Sequence, residues 1–253
     1  MHYRTVKQLL YFLLYLAIIG IIVFLIYLWL VKPAPSCFDN RQNQGETGVD
    51  CGGPCQPCEI KYLKPLEAQK IRFFNLQNKT IITAEITNPN QNFGADRFTY
   101  TINFYNQTGT KIGSLTNDSF IYPAEIKAIF EIDEKTKFSD IYNISIDFKD
   151  THWVSSEDFQ KPLIELREQK LVEDKPLKLK GVVVNQSNFD VGLKLIAFVY
   201  NRYGIQIGAS KTEIAKLEAH EQKDFQITLP FDILKEEIDQ SRTKIFAEAK
   251  ILK

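Results

Sequence analysis

The chain has 253 residues, 31 basic and 31 acidic, and an aromatic content of 12%. Three of the basic residues and none of the acidic ones precede residue 36, which leaves 28 basic against 31 acidic beyond it. That near-balance supplies neither a nucleic-acid-binding charge nor attraction to an anionic lipid surface, so no nucleic-acid partner is expected.

Leu9–Val31 is a run of 23 residues without a single Asp, Glu, Lys or Arg. At about 1.5 Å per residue, such a helix crosses a hydrocarbon core of roughly 30 Å. Arg4 and Lys7 precede it and only Lys32 follows closely, so the positive-inside rule puts residues 1–8 in the cytoplasm and the chain beyond 33 outside. Tyr11, Tyr27 and Trp29 suit the headgroup zones. A cleaved signal has a shorter apolar region and a small-residue cleavage site, and Lys32-Pro33-Ala34-Pro35 is a poor one. The expectation is an uncleaved signal-anchor over 9–31, single-pass in the cell membrane.

All four cysteines, Cys37, Cys51, Cys55 and Cys58, lie in the segment 36–60 together with Gly45, Gly48, Gly52, Gly53, Pro54 and Pro57. A stretch this short and polar builds no apolar core and needs covalent or metal staples. Outside the cytoplasm an even cysteine count reads first as two disulfides, with three possible pairings. The Cys55-x-x-Cys58 spacing also permits a four-cysteine zinc site, and a redox pair is disfavoured by the lack of a βαβ context. Asp39, Asn43, Glu46 and Asp50 are hard oxygen donors on a tight turn and candidate ligands for calcium; the alternative is that they cap their own turns. Asp39, Asn43, Glu46, Gly48, Asp50, Gly52 and Gly53, with the cysteines, resemble a short Cys-rich motif of bacterial and archaeal envelope proteins. Asn40 stands where that motif has Gly, and Asn is the next best residue for a left-handed turn. The resemblance implies surface exposure rather than an activity.

The remainder is an internal duplication. Lys64-Pro65-Leu66 aligns with Lys161-Pro162-Leu163, and Asn88-Pro89-Asn90 with Asn185-Gln186-Ser187, at an offset of 97. After a two-residue loss, Phe104-Tyr105-Asn106 through Gly109 falls on Val199-Tyr200-Asn201 through Gly204 at an offset of 95, and the same offset puts Ala124 on Ala219, Phe130 on Phe225 and Ile132 on Ile227. Alternation of apolar and polar residues predicts strands over 81–87, 99–105 and 144–148 in the first copy. In the second it predicts 179–184, 194–200, 205–210, 224–229 and 244–252. Asn106–Gly109 reads as a hairpin turn, and a weak helical period is confined to 231–238. The fold class expected is mainly β: a transmembrane helix, a Cys-rich segment, and two tandem antiparallel immunoglobulin-like sandwiches over 64–152 and 161–253. The pattern of an Asn turn followed by a strand ending Phe/Val-Tyr-Asn-x-x-Gly-x-x-Ile-Gly resembles the FxLYD-type domains, relatives of the type 2 late-embryogenesis (water-stress) proteins. Asn106 and Asn201 replace the family's usual Asp. The resemblance implies an extracytoplasmic binding or spacer module with no catalytic residue.

Signals for chemistry are sparse. His2, His152 and His220 accompany no nucleophile motif, metal pair or phosphate loop, and Glu157-Asp158 and Glu236-Glu237 read as solvated. No enzymatic activity and no cofactor are expected, calcium apart. Five Asn-x-Ser/Thr sequons fall at Asn78, Asn106, Asn117, Asn143 and Asn185. The functional expectation is a membrane-anchored, non-catalytic protein that presents its sandwiches to a protein or envelope-polymer partner, with Asn88–Gly94 and Asn185–Gly192 as the contacting loops. Two alternatives are a calcium-dependent module centred on the Cys-rich segment and an accessory subunit of a secretion or pilus machine. A hydrolase is the least favoured.

Overall fold

The computed structural model describes residues 2–31, 36–77, 79–174, 176–229 and 233–252. It divides into two compact units, Met1–Leu63 and Lys64–Lys253. Lys32 to Pro35, the Asn78 sequon and the start of the predicted helical stretch at 231–232 lie outside the described residues.

In the first unit, helix α1 runs His2–Val31 over 30 residues. Its segment Val6–Leu28 is long and apolar enough to cross a membrane. Large apolar side chains from Leu9 to Leu28 are exposed all round it, so no polar face is kept for water. The Cys-rich segment follows with two disulfides, Cys37–Cys55 and Cys51–Cys58. These settle the pairing that spacing left open. An isolated bridge between Gly48 and Cys51 and a short 3₁₀ turn over Cys58–Tyr62 are its regular structure.

The second unit is mainly β, as expected; strand makes up 51% of the protein. The first copy has strands β1 (Glu67–Leu76), β2 (Lys79–Thr87), β3 (Phe93–Tyr105), β4 (Lys111–Ile121), β5 (Ile126–Asp133) and β6 (Asn143–Ser155). The second has β7 (Ile164–Val172), β8 (Lys178–Asn185), β9 (Val191–Tyr200), β10 (Gln206–Leu217), β11 (Gln222–Thr228) and β12 (Lys244–Ile251). Each copy folds into two three-stranded antiparallel sheets: β1-β2-β5 facing β4-β3-β6, and β7-β8-β11 facing β10-β9-β12. The two orders are the same, strand for strand. The cores follow from period-2 alternation: Ile82, Ala84, Ile86, Phe98, Tyr100, Ile102 and Phe104 fill one, Val183, Leu193, Leu195, Ala197, Val199 and Phe225 the other.

Strands β1 and β7 had no clear signal in the sequence, and the backbone explains why. Each is bulged against its neighbour, between Gln69 and Arg72 and between Arg167 and Lys170. Lys70 and Glu168 take left-handed φ values of 50° and 52° at those bulges, which break the alternation a strand would show. Strand β6 continues to Ser155, three residues past the expected boundary of the first sandwich at 152. In place of a helix at 231–238, Lys235–Glu237 forms a single 3₁₀ turn.

The alignment of the fifth strands also needs correction. Asn88 donates its N–H to Glu125 and Asn185 to Glu221, and the left-handed residues are Ala124 (52°) and His220 (61°). The offset there is therefore 96, so Ile129 corresponds to Phe225 and Phe130 to Gln226. A slip of one residue reverses the face on which a strand side chain stands. Phe225 points into its own core, whereas Phe130 points out of its sandwich into a separate apolar cluster.

That cluster joins the copies. Phe74, Leu76, Ile81, Ala128 and Phe130 from sheet β1-β2-β5 pack against Ile196, Phe198, Ala209, Tyr200 and Phe246 from sheet β10-β9-β12. Around it, Tyr122 donates to the Ala249 carbonyl at 3.0 Å and Gln206 to Thr83 Oγ1 at 3.2 Å. Lys127, with 3% of its side chain exposed, donates to the Phe120 carbonyl at 2.7 Å and meets Glu248 at 3.0 Å. Burial pulls the Lys127 ammonium below its usual range, and the Glu248 carboxylate opposes that pull. The connection between the copies is fixed too, with Phe159 stacked on Tyr122 at 4.5 Å and Lys161 paired with Glu125 at 2.7 Å.

Candidate functional site

The Cys-rich segment uses its acidic residues as acceptors for its own backbone. Asp50 Oδ1 accepts the N–H groups of Asp39 (2.9 Å) and Asn40 (3.1 Å). Glu46 Oε2 accepts those of Asn43 and Asp50, both at 3.2 Å. Asp39 Oδ1 takes Arg41 N–H at 2.9 Å, and its Oδ2 takes the Asn43 amide at 2.8 Å. The Asn43 hydrogen bond is the main reason that the Asp39 carboxyl lies below its usual range. Asn40 has φ 57°, the left-handed turn expected at that position. Carboxylates thus replace the apolar core that a segment this short cannot build.

Among the described residues, the one group of three Cys, His, Asp or Glu ligand atoms within 4.8 Å of one another is Cys37, Glu46 and Cys55. Both sulfurs in it are joined in a disulfide, and the Glu46 oxygen 3.1 Å from Cys55 Sγ is a contact to an oxidised sulfur, not a thiol hydrogen bond. The suggested calcium set Asp39, Asn43, Glu46 and Asp50 does not bring its three carboxylates together in this way. A four-cysteine zinc site is replaced by the two disulfides.

The loops after β2 and β8 are clamps. Asn88 Nδ2 donates to the carbonyls of Phe93 (2.7 Å) and Tyr122 (3.0 Å), and Asn185 Nδ2 to those of Phe189 (2.8 Å) and Glu218 (2.9 Å). Asn90 holds the main chain of Lys64 with two hydrogen bonds, and Ser187 accepts the Leu163 N–H. Asn88, Asn90, Asn185 and Ser187 are buried, so these side chains are not available to a partner, and the Asn185 sequon is closed in the folded protein. Asn106 caps its hairpin by accepting from the N–H groups of Thr108 and Thr110. His152 lies within β6, and its Nδ1 contacts Asp96 Oδ1 at 2.8 Å. His220 Nε2 contacts Asn188 at 3.0 Å. Glu157, Asp158, Glu236 and Glu237 are exposed.

What sequence reasoning missed lies at the seam between the sandwiches. One cleft of about 590 Å³ has walls from both copies, Arg97, Tyr100, Asp118 and Glu131 on one side and Lys194 and Glu248 on the other. The Tyr100 hydroxyl donates to Glu131 at 2.5 Å. Burial first, then the Glu131 carboxylate, push that phenol far above its ordinary range, so it remains a donor at neutral pH. A second cleft of about 440 Å³ is lined by Lys70, Arg72, Tyr200, Ile205, Arg242 and Lys244, and its charge is predominantly positive. No motif marks either cleft, because each is assembled from strands about a hundred residues or more apart in the chain.

No protein-family model matches this chain, and no curated protein matches its sequence. Solved structures similar to it include a β-glucuronidase 2 of Bacteroides uniformis at 12% identity and TM-score 0.19, over 69% of this chain and 26% of that one. A second Bacteroides uniformis β-glucuronidase has 15% identity and TM-score 0.20, over 61% and 22%. A red sea bream transglutaminase has 12% identity and TM-score 0.20, over 73% and 31%. The chain thus spans less than a third of the length of these enzymes. Scores this low carry no argument about its activity.

Proposed function

We propose that this is a non-catalytic, membrane-anchored protein that holds a pair of fused β-sandwiches outside the cell to bind a component of the envelope or its surface. The observation that carries the reading is the seam. It locks two copies of one fold into a single body and forms clefts that neither copy has alone. An apolar helix preceded by Arg4 and Lys7 and closely followed by Lys32 alone supports a single-pass anchor with a cytoplasmic N-terminus. Two disulfides directly after it support an oxidising compartment for everything beyond. The sandwiches resemble the FxLYD-type domains in their Tyr-x-x-x-Gly hairpins, with Asn106 and Asn201 in place of the usual Asp, and a binding rather than chemical role accords with that resemblance.

Two measurements test this. Proteinase added to intact cells should digest an epitope at the C-terminus and spare one at the N-terminus; the reverse pattern would overturn the topology. The full chain in detergent micelles should also be retained by envelope polymer isolated from the host. Equal retention on an unrelated matrix would leave no binding function for the sandwiches.

A further inference from the structure

The 440 Å³ cleft at the seam has a definite chemistry. Lys70 and Arg72 come from the bulged part of β1, Lys244 opens β12, and Arg242 stands in the turn before it. The side chains of Lys70, Arg242 and Lys244 are each more than half exposed. Two carboxylates accompany them. Asp239 holds Arg242 through Nε at 3.1 Å, and Glu85 takes Lys70 at 2.7 Å. With both counted against the four cations, the site keeps an excess of two positive charges.

Glu85 is the unusual carboxylate. It is buried, and its second oxygen, Oε1, has no hydrogen-bond partner among the described residues; Lys244 Nζ stands 3.9 Å from it. Glu85 is not part of the lining of the cleft; its carboxylate holds the ammonium of Lys70 and draws that of Lys244 toward the same place. Cations alone suit any anion. Cations together with the polar side chains of Gln206 and Ser241, the ring of Tyr200 and the aliphatic side chain of Ile205 suit a ligand with an anionic group, hydroxyls and an apolar ring face. A volume of about 440 Å³ is ample for one or two sugar rings.

We infer that this cleft binds an acidic sugar unit, carrying a carboxylate or a phosphate, of an envelope polysaccharide. Lys70, Arg72, Arg242 and Lys244 hold the anionic group, Gln206 and Ser241 meet the hydroxyls, and Tyr200 lies against the ring. An acidic peptide offers carboxylates without the ring hydroxyls that Gln206 and Ser241 would meet. The inference rests on the reading of the sandwiches as a binding module.

The test is calorimetry on the full chain in micelles with trigalacturonate, mannose 6-phosphate, maltotriose, inorganic phosphate and tetraglutamate. One or both acidic sugars should bind, and which of them does separates the carboxylate from the phosphate source. Maltotriose, phosphate and tetraglutamate should bind about tenfold or more weakly, and added salt should weaken the acidic sugar. The double variant Arg72→Ala/Arg242→Ala, its fold checked by circular dichroism, should lose about tenfold in affinity for the bound sugar. Asp118→Ala, in the other cleft, should lose nothing. Binding of neither acidic sugar overturns the inference, and so does equal binding of tetraglutamate or phosphate, which would make the cleft a simple anion trap. If the arginine variant still binds isolated host polymer at full strength, the cleft assignment fails and the binding-module reading stands; no retention of any polymer removes both.

Discussion

The two sandwiches share every strand and every turn in the same order, yet they expose opposite sheets to each other. The outer face of sheet β1-β2-β5 carries Ile81, Ala128 and Phe130 and is covered. Its counterpart in the second copy, β7-β8-β11, carries Lys178, Lys180, Asp224 and Gln226 and faces water. The other pair of sheets shows the reverse: Phe198 and Ile196 are covered in the second copy, where the first has Asn103, bonded to Asp147 at 2.7 Å, and Thr101. Joining two unlike faces is a head-to-tail contact, the kind that can repeat without closing. Here the two remaining outer faces are polar, so the stack stops at two, as capping repeats stop a solenoid. Duplication supplied the fold, and a few outward-facing residues determined how the copies combine.

The largest test of this asymmetry is Phe198→Asn, which gives the second copy the first copy's residue. It should cost about 4 kcal/mol in urea unfolding, from a cavity and an unpaired amide, and split one transition into two. Asn103→Ala, at the matching position, should cost only about 1 kcal/mol and leave one transition. A split for both variants, or for neither, would mean that the seam does not couple the copies.

Next in size, Lys127→Ala should cost about 3 kcal/mol by removing the nearer partner of Glu248 and leaving it only Lys194 at 3.8 Å, whereas the apolar pair Lys127→Met/Glu248→Leu should be close to neutral. A double variant as damaged as the single one would show that the ion pair itself holds the seam. Of similar or slightly smaller size is the loss of the Cys37–Cys55 disulfide, whose closed loop spans 18 residues. Chain entropy puts it at about 3 kcal/mol. The loss should raise proteolysis of the Cys-rich segment and leave sandwich unfolding unchanged. The smallest effect tests where the copies agree. Asn106→Ala and Asn201→Ala remove the same hairpin cap and should each cost about 1 kcal/mol. Costs that differ by more than twofold would mean that the turns are not equivalent.

Much of the fold could be read from the residues, because most strands alternate in full. Strands β1 and β7 could not, since a left-handed residue at Lys70 and at Glu168 interrupts the period. The one-residue error in the fifth strand arose because Phe130 and Phe225 look alike in a row of letters. Only the backbone pairing shows that they stand on opposite faces. The polar loops after β2 and β8 looked like contact surfaces, but Asn88 and Asn185 spend their amides on the carbonyls of the same copy. In the Cys-rich segment the cysteine count points to the disulfides that form, and Asp39, Glu46 and Asp50, which the residues alone offer as cation ligands, accept backbone N–H groups.

The sequence by itself determined the apolar helix, the cross-linked segment and the repeated β plan, because composition, cysteine count and period-2 alternation are local properties. The disulfide partners, the face each outer residue presents and the two clefts were decided by tertiary structure alone. Each depends on distances between residues far apart in the chain, and packing fixes those distances only when the whole sheet set is assembled.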